Sequence, residues 1–330
     1  MPPYSFTRRD FAMSALAAGA AVAGLPTSLR AQPFGGRTVT FIVPFSAGSG
    51  PDTIARLMGQ YLGTRWNQTI IVDNRTGASG NIGTSAVARA VPDGTTMLVT
   101  ANTLVMNVSL FKSVPYDPVA SFAPVAGLVY SVFACAVHKS LGVNTLAELV
   151  ALAKAKPGTI NFGSPGLGSP HHVALELFKQ KAGVDMMHVP YRQLSGAMQD
   201  LASGHIGGMF MPATQAVALA AAGDVKVLAF SGDKRSAIAP DVPTMTEAGV
   251  AGVDIDNWWA ILAPAGTPAD VIQRYNTELN AVLAEPDVKK RLDAQALQII
   301  GGSPERLKEI IARDTARWAQ VLQAAGIKPE

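Results

Sequence analysis

Short runs of consecutive apolar residues alternate along this chain with longer stretches in which apolar positions recur every three or four residues. Val39-Thr40-Phe41-Ile42-Val43 is the first such run, and residues 69–72, 96–100, 133–137, 160–162, 185–189, 206–210 and 226–230 are others. Their length and their position between turn residues predict buried strands. Between them, Ile54, Ala55, Met58, Tyr61 and Leu62 fall at helical spacing within residues 52–62. Helices are predicted likewise over 81–91, 170–182, 196–202 and 213–222. Thr145-Leu146-Ala147-Glu148 is a capping box that opens a helix running to about Lys156 and stopping at Pro157-Gly158. Thr267-Pro268 and Ser303-Pro304 each put an N-cap before a proline at the first helical position, for helices reaching about residues 284 and 325. Repeated strand–helix alternation predicts parallel sheets wrapped by helices.

Three glycine-rich loops stand in equivalent positions, after a strand and before a helix. They are Pro44-Phe45-Ser46-Ala47-Gly48-Ser49-Gly50, Thr76-Gly77-Ala78-Ser79-Gly80, and Gly163-Ser164-Pro165-Gly166-Leu167-Gly168-Ser169. Small residues let backbone N–H groups approach a ligand, and the helix that follows offers unpaired N–H groups at the positive end of its dipole. One such loop is an ordinary tight turn. Three at the carboxyl ends of strands point to the binding of a carboxylate or another anion.

Enzyme motifs fare worse. No loop carries Gly-Lys followed by Ser or Thr, so there is no phosphate loop, and none matches the dinucleotide fingerprint. Ser164 lacks the glycine two residues upstream that a nucleophile elbow needs, and Ser79 has Asn81 where the second glycine belongs. His171 and His172 are adjacent and diverge by about 100° on a helix, so they do not share a metal-facing side. His172 is either a helix-start residue bonded to the loop or a donor to a ligand. Trp258-Trp259 and Tyr191 read as core aromatics when taken alone.

Composition bounds the setting. The chain has 330 residues, 48% hydrophobic and 15% charged, enough for two domains. Arg8, Arg9, Arg30 and Asp10 give residues 1–31 a charge of +2, so of the net +3 only +1 remains elsewhere. No basic stripe with interleaved aromatics suggests nucleic acid. Thr7-Arg8-Arg9-Asp10-Phe11, a weakly apolar stretch over 12–25, Pro26 and then Leu29-Arg30-Ala31 have the order of a twin-arginine signal peptide. The apolar stretch falls short of the ~18–20 residues a spanning helix needs. Cleavage after Ala31 is expected. Cys135 is the single cysteine, which precludes an intramolecular disulfide and, lying far from the signal, a lipid anchor.

The loops sit among further stretches that together resemble a known family. They are Ile42-Val43-Pro44-Phe45, Asp73-Asn74-Arg75 through Gly80-Asn81-Ile82-Gly83, Pro92-Asp93-Gly94, and Val114-Pro115-Tyr116-Asp117-Pro118. Phe122-Ala123-Pro124-Val125, Gly163-Ser164, His188-Val189-Pro190-Tyr191, Pro240-Asp241-Val242-Pro243-Thr244 and Leu262-Ala263-Pro264-Ala265-Gly266-Thr267-Pro268 follow in order. From about Thr38 to Lys328 the chain resembles the Bug family, the periplasmic receptors of tripartite tricarboxylate transporters. The resemblance implies an α/β, type II-like periplasmic binding protein with two lobes, each a sheet wrapped by helices, closing on a cleft. It places lobe 1 at 33–131 and 258–330, lobe 2 at 132–257, and the hinge near 129–133 and 256–260. By matching position, ligand contacts fall on Phe45, Ser46, Ala47 and Gly48, on Ser79, and on Thr100, Ala101 and Asn102. In lobe 2 they fall on Ser164, Gly166, Ser169, His172, Tyr191, Arg192 and Gln193. It implies a small organic acid as ligand, membrane permease subunits as partners, and no cofactor, metal or nucleic acid. A monomer is expected.

Two departures bear on the ligand. After Tyr191 the family usually has a basic or polar residue and two glycines, where this chain has Arg192-Gln193-Leu194-Ser195. Gly207 and Met211 stand where the family often has aspartates. Losing two acids that could pair with an amino group favours a plain carboxylic acid over an amino acid. The alternatives to a receptor feeding a transporter are an exported enzyme acting on a small carboxylate and a ligand sensor for a membrane kinase.

Overall fold

The computed structural model describes residues 34–329 apart from 168, 233, 254–256, 325 and 328. The expected signal, residues 1–31, lies outside the described residues, as does Asp256 of the expected hinge. The chain first lays down β1 (Val39–Val43), α1 (Gly50–Trp66), β2 (Ile70–Asn74), α2 (Asn81–Ala88), β3 (Thr96–Ala101), α3 (Thr103–Leu110) and β4 (Phe122–Ser131). Next come β5 (Phe133–His138), α4 (Leu146–Ala155), β6 (Asn161–Ser164), α5 (Pro170–Ala182), β7 (Met187–Pro190), α6 (Leu194–Ala202), β8 (Gly208–Pro212), α7 (Ala213–Ala220) and β9 (Val225–Phe230). It finishes with β10 (Asn257–Pro264), α8 (Ala269–Ala284), α9 (Pro286–Asp293), β11 (Leu297–Ile299) and α10 (Pro304–Ala324).

These strands make two sheets, ordered β11-β4-β10-β3-β1-β2 and β7-β6-β8-β5-β9. β1 pairs in parallel with β2 and β3, and β6 with β7 and β8, as strand–helix alternation predicts. The sheets are nevertheless mixed. β10 runs antiparallel between β3 and β4, with Trp259 opposite both Ala101 and Val129. β5 runs antiparallel to β8 and β9. The reason lies in the path of the chain. β4 ends at the junction between the sheets, and only Val132 separates it from β5. β10 begins at that same junction on the way back, so it must run against β4. Helices α3 and α9 and strands β4, β10 and β11 add to the elements predicted from the sequence.

Both faces of β10 are buried, so its residues alternate between two cores without a polar side. Trp258, Ala260 and Leu262 join Leu307, Ile311 and Trp318 of α10, while Trp259, Ile261 and Ala263 join Phe41, Met97 and Tyr275. The first of these cores continues into the second sheet through Phe133, Cys135, Phe162 and Phe178. The Trp258 indole donates from Nε1 to Asp314 Oδ2 at 2.8 Å, which satisfies a fully buried carboxylate that also accepts from Arg313 Nε at 2.8 Å. Thr145 caps α4 by accepting from Glu148 N at 3.1 Å, and Glu148 returns an oxygen to the Asn144 N–H at 2.6 Å. Among the described residues, no helix is long and apolar enough to cross a membrane.

Candidate functional site

The first loop is anchored by a buried carboxylate. Asp52, in the first turn of α1, is 2% exposed. It accepts hydrogen bonds from Gly48 N at 2.8 Å, Arg56 Nε at 3.0 Å and Asn74 Nδ2 at 2.9 Å. Asn74 Nδ2 also donates to the Phe45 carbonyl at 3.0 Å. Burial would raise the carboxyl's pKa, but these donors and the Arg56 charge outweigh it and hold it below the usual carboxylate range. The Gly48 N–H is therefore committed inside the protein. Ser46, Ala47 and Gly48 are exposed and Phe45 is half-buried. A Cβ on Gly50 would lie 2.1 Å from Cη2 of Trp259, so the loop rests on that indole only because residue 50 is glycine.

The second loop is strained. Gly77, Ala78, Ser79 and Gly80 have φ of 122°, 46°, 54° and 93°. Two non-glycine residues in the left-handed region cost about 1 kcal/mol or more each and persist only where the surroundings enforce them. The enforcement is a buried amide network. Asn107 Nδ2 donates to the Ser79 carbonyl at 3.0 Å and to Asn81 Oδ1 at 2.8 Å, and the Tyr116 hydroxyl donates to Asn81 Oδ1 at 2.9 Å. Ser79 itself is exposed. Thr100, Ala101 and Asn102 are all buried, with the Asn102 N–H donating to the Trp258 carbonyl at 3.1 Å.

In the third loop, Ser164 is fully buried and its hydroxyl donates to the Gly166 carbonyl at 2.9 Å. Having spent its proton there, Ser164 Oγ accepts from Gly166 N at 3.1 Å and faces His188 Nε2 at 2.6 Å. With the hydroxyl proton on the Gly166 carbonyl, the matching His188 tautomer carries its proton on Nε2. Ser169 caps α5, accepting from His172 N at 3.3 Å and donating to the Gly166 carbonyl at 2.8 Å. His172 stacks on His188 with ring centres 3.8 Å apart and planes 15° from parallel. Burial pushes both imidazoles down, His172 to about 3 and His188 to about 4, so both are neutral at pH 7.

The second and third loops meet at a cavity of about 800 Å³, whose lining includes no residue of the first. From the first sheet's side it is walled by Ser79, Thr103, Asn107, Leu110 and Phe111, and from the second by Pro165, Leu167, Ser169, His172, Glu176 and His188. Against that geometry, the model of the tripartite tricarboxylate transporter family receptor, TctC, matches residues 54–327. The chain belongs to this family. BugT of Bordetella pertussis is 31% identical, over 93% of this receptor and 95% of that protein. Among solved structures, R. palustris Rpa4515 with adipate is 33% identical with a TM-score of 0.76, covering 89% of the receptor and 99% of that chain. MatC from Rhodopseudomonas palustris with bound malate is 30% identical with a TM-score of 0.71, covering 87% and 99%. The receptor thus has the two helix-wrapped α/β sheets that the resemblance implies.

Of the contacts inferred by position, Ser79, Ser169 and His172 line the receptor's cavity together. Ser164 and Gly166 shape its loop from within. The Tyr191 hydroxyl donates to Asp200 Oδ2 at 2.6 Å, and its N–H to the Ser164 carbonyl at 2.8 Å, so this tyrosine braces the loop against α6. Burial, then the bond to Asp200, pushes its phenol up to about 12. Arg192 and Gln193 are exposed, whereas the half-buried Leu194 packs against the core beneath α6. Sequence reasoning missed Thr103, Asn107 and His188 as cavity residues. A second cavity, of about 890 Å³, lies at the junction where β4 passes into β5 and is lined by none of the inferred contacts. Its basic side chains Lys234, Arg235, Lys289, Arg306 and Arg313 are exposed, and Arg235 and Arg313 already pair with Glu247 and Asp314.

Proposed function

We propose that this receptor captures a small organic acid outside the cytoplasmic membrane and presents it to the membrane subunits of a tripartite transporter, without chemical turnover. The observation that carries the reading is the shared cavity. Ser79 and Thr103 reach it from the first sheet, and Ser169 and His172 from the second. A ligand seated there touches both halves, and only such a ligand has differential affinity for a closed state. Family membership supports the reading, and so do the adipate and malate bound by two structural neighbours.

In this reading lobe 1 is residues 33–131 with 258–330, and lobe 2 is residues 132–257. Val132 and the return into β10 form the hinge. In this reading the N–H groups of Phe45, Ser46 and Ala47, which lie outside the cavity's lining, come to the carboxylate beside the Ser79 hydroxyl as the lobes close. Ser169, His172 and the Tyr191–Arg192–Gln193 turn face it from lobe 2. The protein leaves the cytoplasm by the twin-arginine route, loses residues 1–31, and works in the periplasm as a monomer.

A thermal-shift screen of organic acids tests the binding claim, because a ligand that binds only the folded state raises its melting temperature. At least one small carboxylate is expected to stabilise the protein. Stabilisation by neutral or cationic compounds alone rejects the carboxylate. Small-angle scattering at ligand saturation is expected to give a smaller radius of gyration, as two lobes close.

A further inference from the structure

We infer that Ala296 and Gln298, on the flank of the hinge opposite the cleft, set the receptor's ligand affinity by holding the cleft open, an inference that rests on the two-lobe reading above. The sheet orders place them. In the first sheet β4 and β10 carry the connection, the cleft loops leave β1, β2 and β3 on one side, and β11 lies on the other. In the second sheet β5 carries it, the cleft loops leave β6 and β7 on one side, and β9 lies on the other. A rotation that brings the two sets of cleft loops together therefore draws β11 away from the turn after β9. In the structure the cleft loops still have bare tips for closure to cover: Ser46, Ala47, Gly48 and Ser79 are exposed, and Leu167 is 63% exposed.

Residues 296–298 join the two lobes on that far flank. β11 is fixed to lobe 1, with Leu297 opposite Ser131 and Gln298 opposite Tyr130, and Leu297 packs in the first sheet's core. Ala296, its neighbour, turns the other way. It is 6% exposed and packs in a cluster whose other members, among the described residues, all fall within 132–242, Val132 and Phe230 among them. Its φ of 53° is a left-handed conformation that strains any residue but glycine and persists only where the surroundings enforce it. Gln298 Nε2 donates to the Lys234 carbonyl at 3.4 Å. The turn that holds Lys234 is fixed to lobe 2, since Ser231 N donates to the Phe133 carbonyl at 2.7 Å and Ser231 Oγ accepts from Phe133 N at 2.9 Å. These contacts exist while the far flank is together and part as the cleft closes. A ligand that closes the cleft must overcome them, so they lower its apparent affinity through the fraction of molecules able to close.

The test loosens the far flank without touching the cleft. Ala296→Gly removes a buried methyl group and suits the left-handed backbone, so it spares the fold. Gln298→Ala removes the tie to Lys234. Closed molecules are counted without ligand, by single-molecule energy transfer between dyes on Ile82→Cys and Gln199→Cys. Both positions are exposed and lie on helices that follow cleft loops of opposite lobes, while the buried Cys135 stays unlabelled. The closed fraction, starting small, is expected to rise about fourfold with Ala296→Gly, the effect of one buried methyl group. It is expected to rise about threefold with Gln298→Ala, the effect of one weak hydrogen bond, and about tenfold with both. Titration with adipate and with malate is expected to show affinity rising by the same factors. A merely structural role would lower the urea midpoint and leave closure and affinity unchanged. A closed fraction that does not rise in the double variant overturns the inference. It leaves the two-lobe reading standing if a bound acid still raises energy transfer in the parent protein. No change of transfer with a bound acid removes the two-lobe reading and this inference with it. If neither acid binds, the closed fraction decides alone.

Discussion

His172 and His188 stack face to face at 3.8 Å, one from the first turn of α5 and the other from β7, and both are held neutral by burial. His171, against Phe133, is likewise pushed down to about 4 by burial. Each of these groups has a folded pKa below its unfolded value of about 6.5. Between those values the unfolded chain holds protons that the native chain does not, so stability is full above pH 6.5 and is lost as pH falls towards 4. Each histidine contributes a slope of up to about 1.4 kcal/mol per pH unit in that window. The melting temperature is expected to fall steadily from pH 7 to pH 4.5. His172→Gln, which cannot take up a proton, is expected to flatten the slope. An unchanged slope would remove His172 as one of its sources.

Asp52→Asn tests the anchor of the first loop. The amide keeps one acceptor but loses the charge that Arg56 faces at 2.9 Å, and its NH₂ group confronts either the Gly48 donor or the Asn74 donor, depending on which oxygen it replaces. A cost of about 1–3 kcal/mol is expected in urea unfolding, the range for disturbing a buried charge-assisted network. Ligand affinity is expected to fall as well, since Asp52 sets the Phe45–Gly48 turn through Asn74. A loss of stability with affinity intact would confine Asp52 to a structural role.

Gly50→Ala separates two opposed effects. In an exposed helix this change stabilises by roughly 0.5–1 kcal/mol, because alanine loses less backbone entropy on folding. Here the added methyl meets Trp259 Cη2 at 2.1 Å and must push aside a side chain that is 7% exposed. Overpacking of this kind costs about 1–3 kcal/mol. Net destabilisation, together with a change in tryptophan fluorescence, is the expected outcome. A gain in stability would mean that the indole moves freely.

Gln193→Gly and Leu194→Gly are expected to behave differently, although the two residues are adjacent. Gln193 is exposed and makes no cap bond with its side chain, so its loss is expected to change stability by less than about 0.5 kcal/mol. Leu194 opens α6 and packs with the cluster that holds Met198 and Leu201, so its loss is expected to cost about 2 kcal/mol or more. Where the family's paired glycines would leave bare backbone, this chain sets a half-buried Leu194 against the core and leaves Gln193 exposed.

What the sequence made legible is what depends on neighbours in sequence. The run at residues 39–43 is β1, the Thr145 box caps α4, and the three glycine loops lie where strand-to-helix alternation put them. What it hid depends on distant partners. Gly48 and Asp52 are four residues apart, but their purpose appears only when Asn74, on the neighbouring strand, closes the network. His188 becomes a cavity residue because β7 pairs with β6, a long-range choice that sets it against Ser164 and His172. β10 is a continuous apolar run like β1, and what its own residues do not show is its place, antiparallel between β3 and β4.

Ser79 offers the clearest separation of conformation from contact. Its φ of 54° costs a serine about 1 kcal/mol or more and a glycine almost nothing. The Ser79 carbonyl is held by Asn107, so the backbone shape belongs to the network rather than to the hydroxyl. Ser79→Gly is therefore expected to raise stability by roughly 0.5–1 kcal/mol. Any gain is reduced by the greater freedom of glycine in the unfolded chain. Ser79→Ala keeps the strain and is expected to leave stability nearly unchanged. Both variants lose the hydroxyl that lines the cavity. If that hydroxyl donates to the ligand's carboxylate, both should lose affinity by about 1.5–3 kcal/mol, the range for a hydrogen bond to a charged group. Titration with the same acid across the three proteins decides it. Equal losses in the two variants assign the effect to the missing hydroxyl. A loss in the glycine variant alone assigns it to a loop that has become too mobile, and then Ser79 acts by holding the turn and not by touching the ligand.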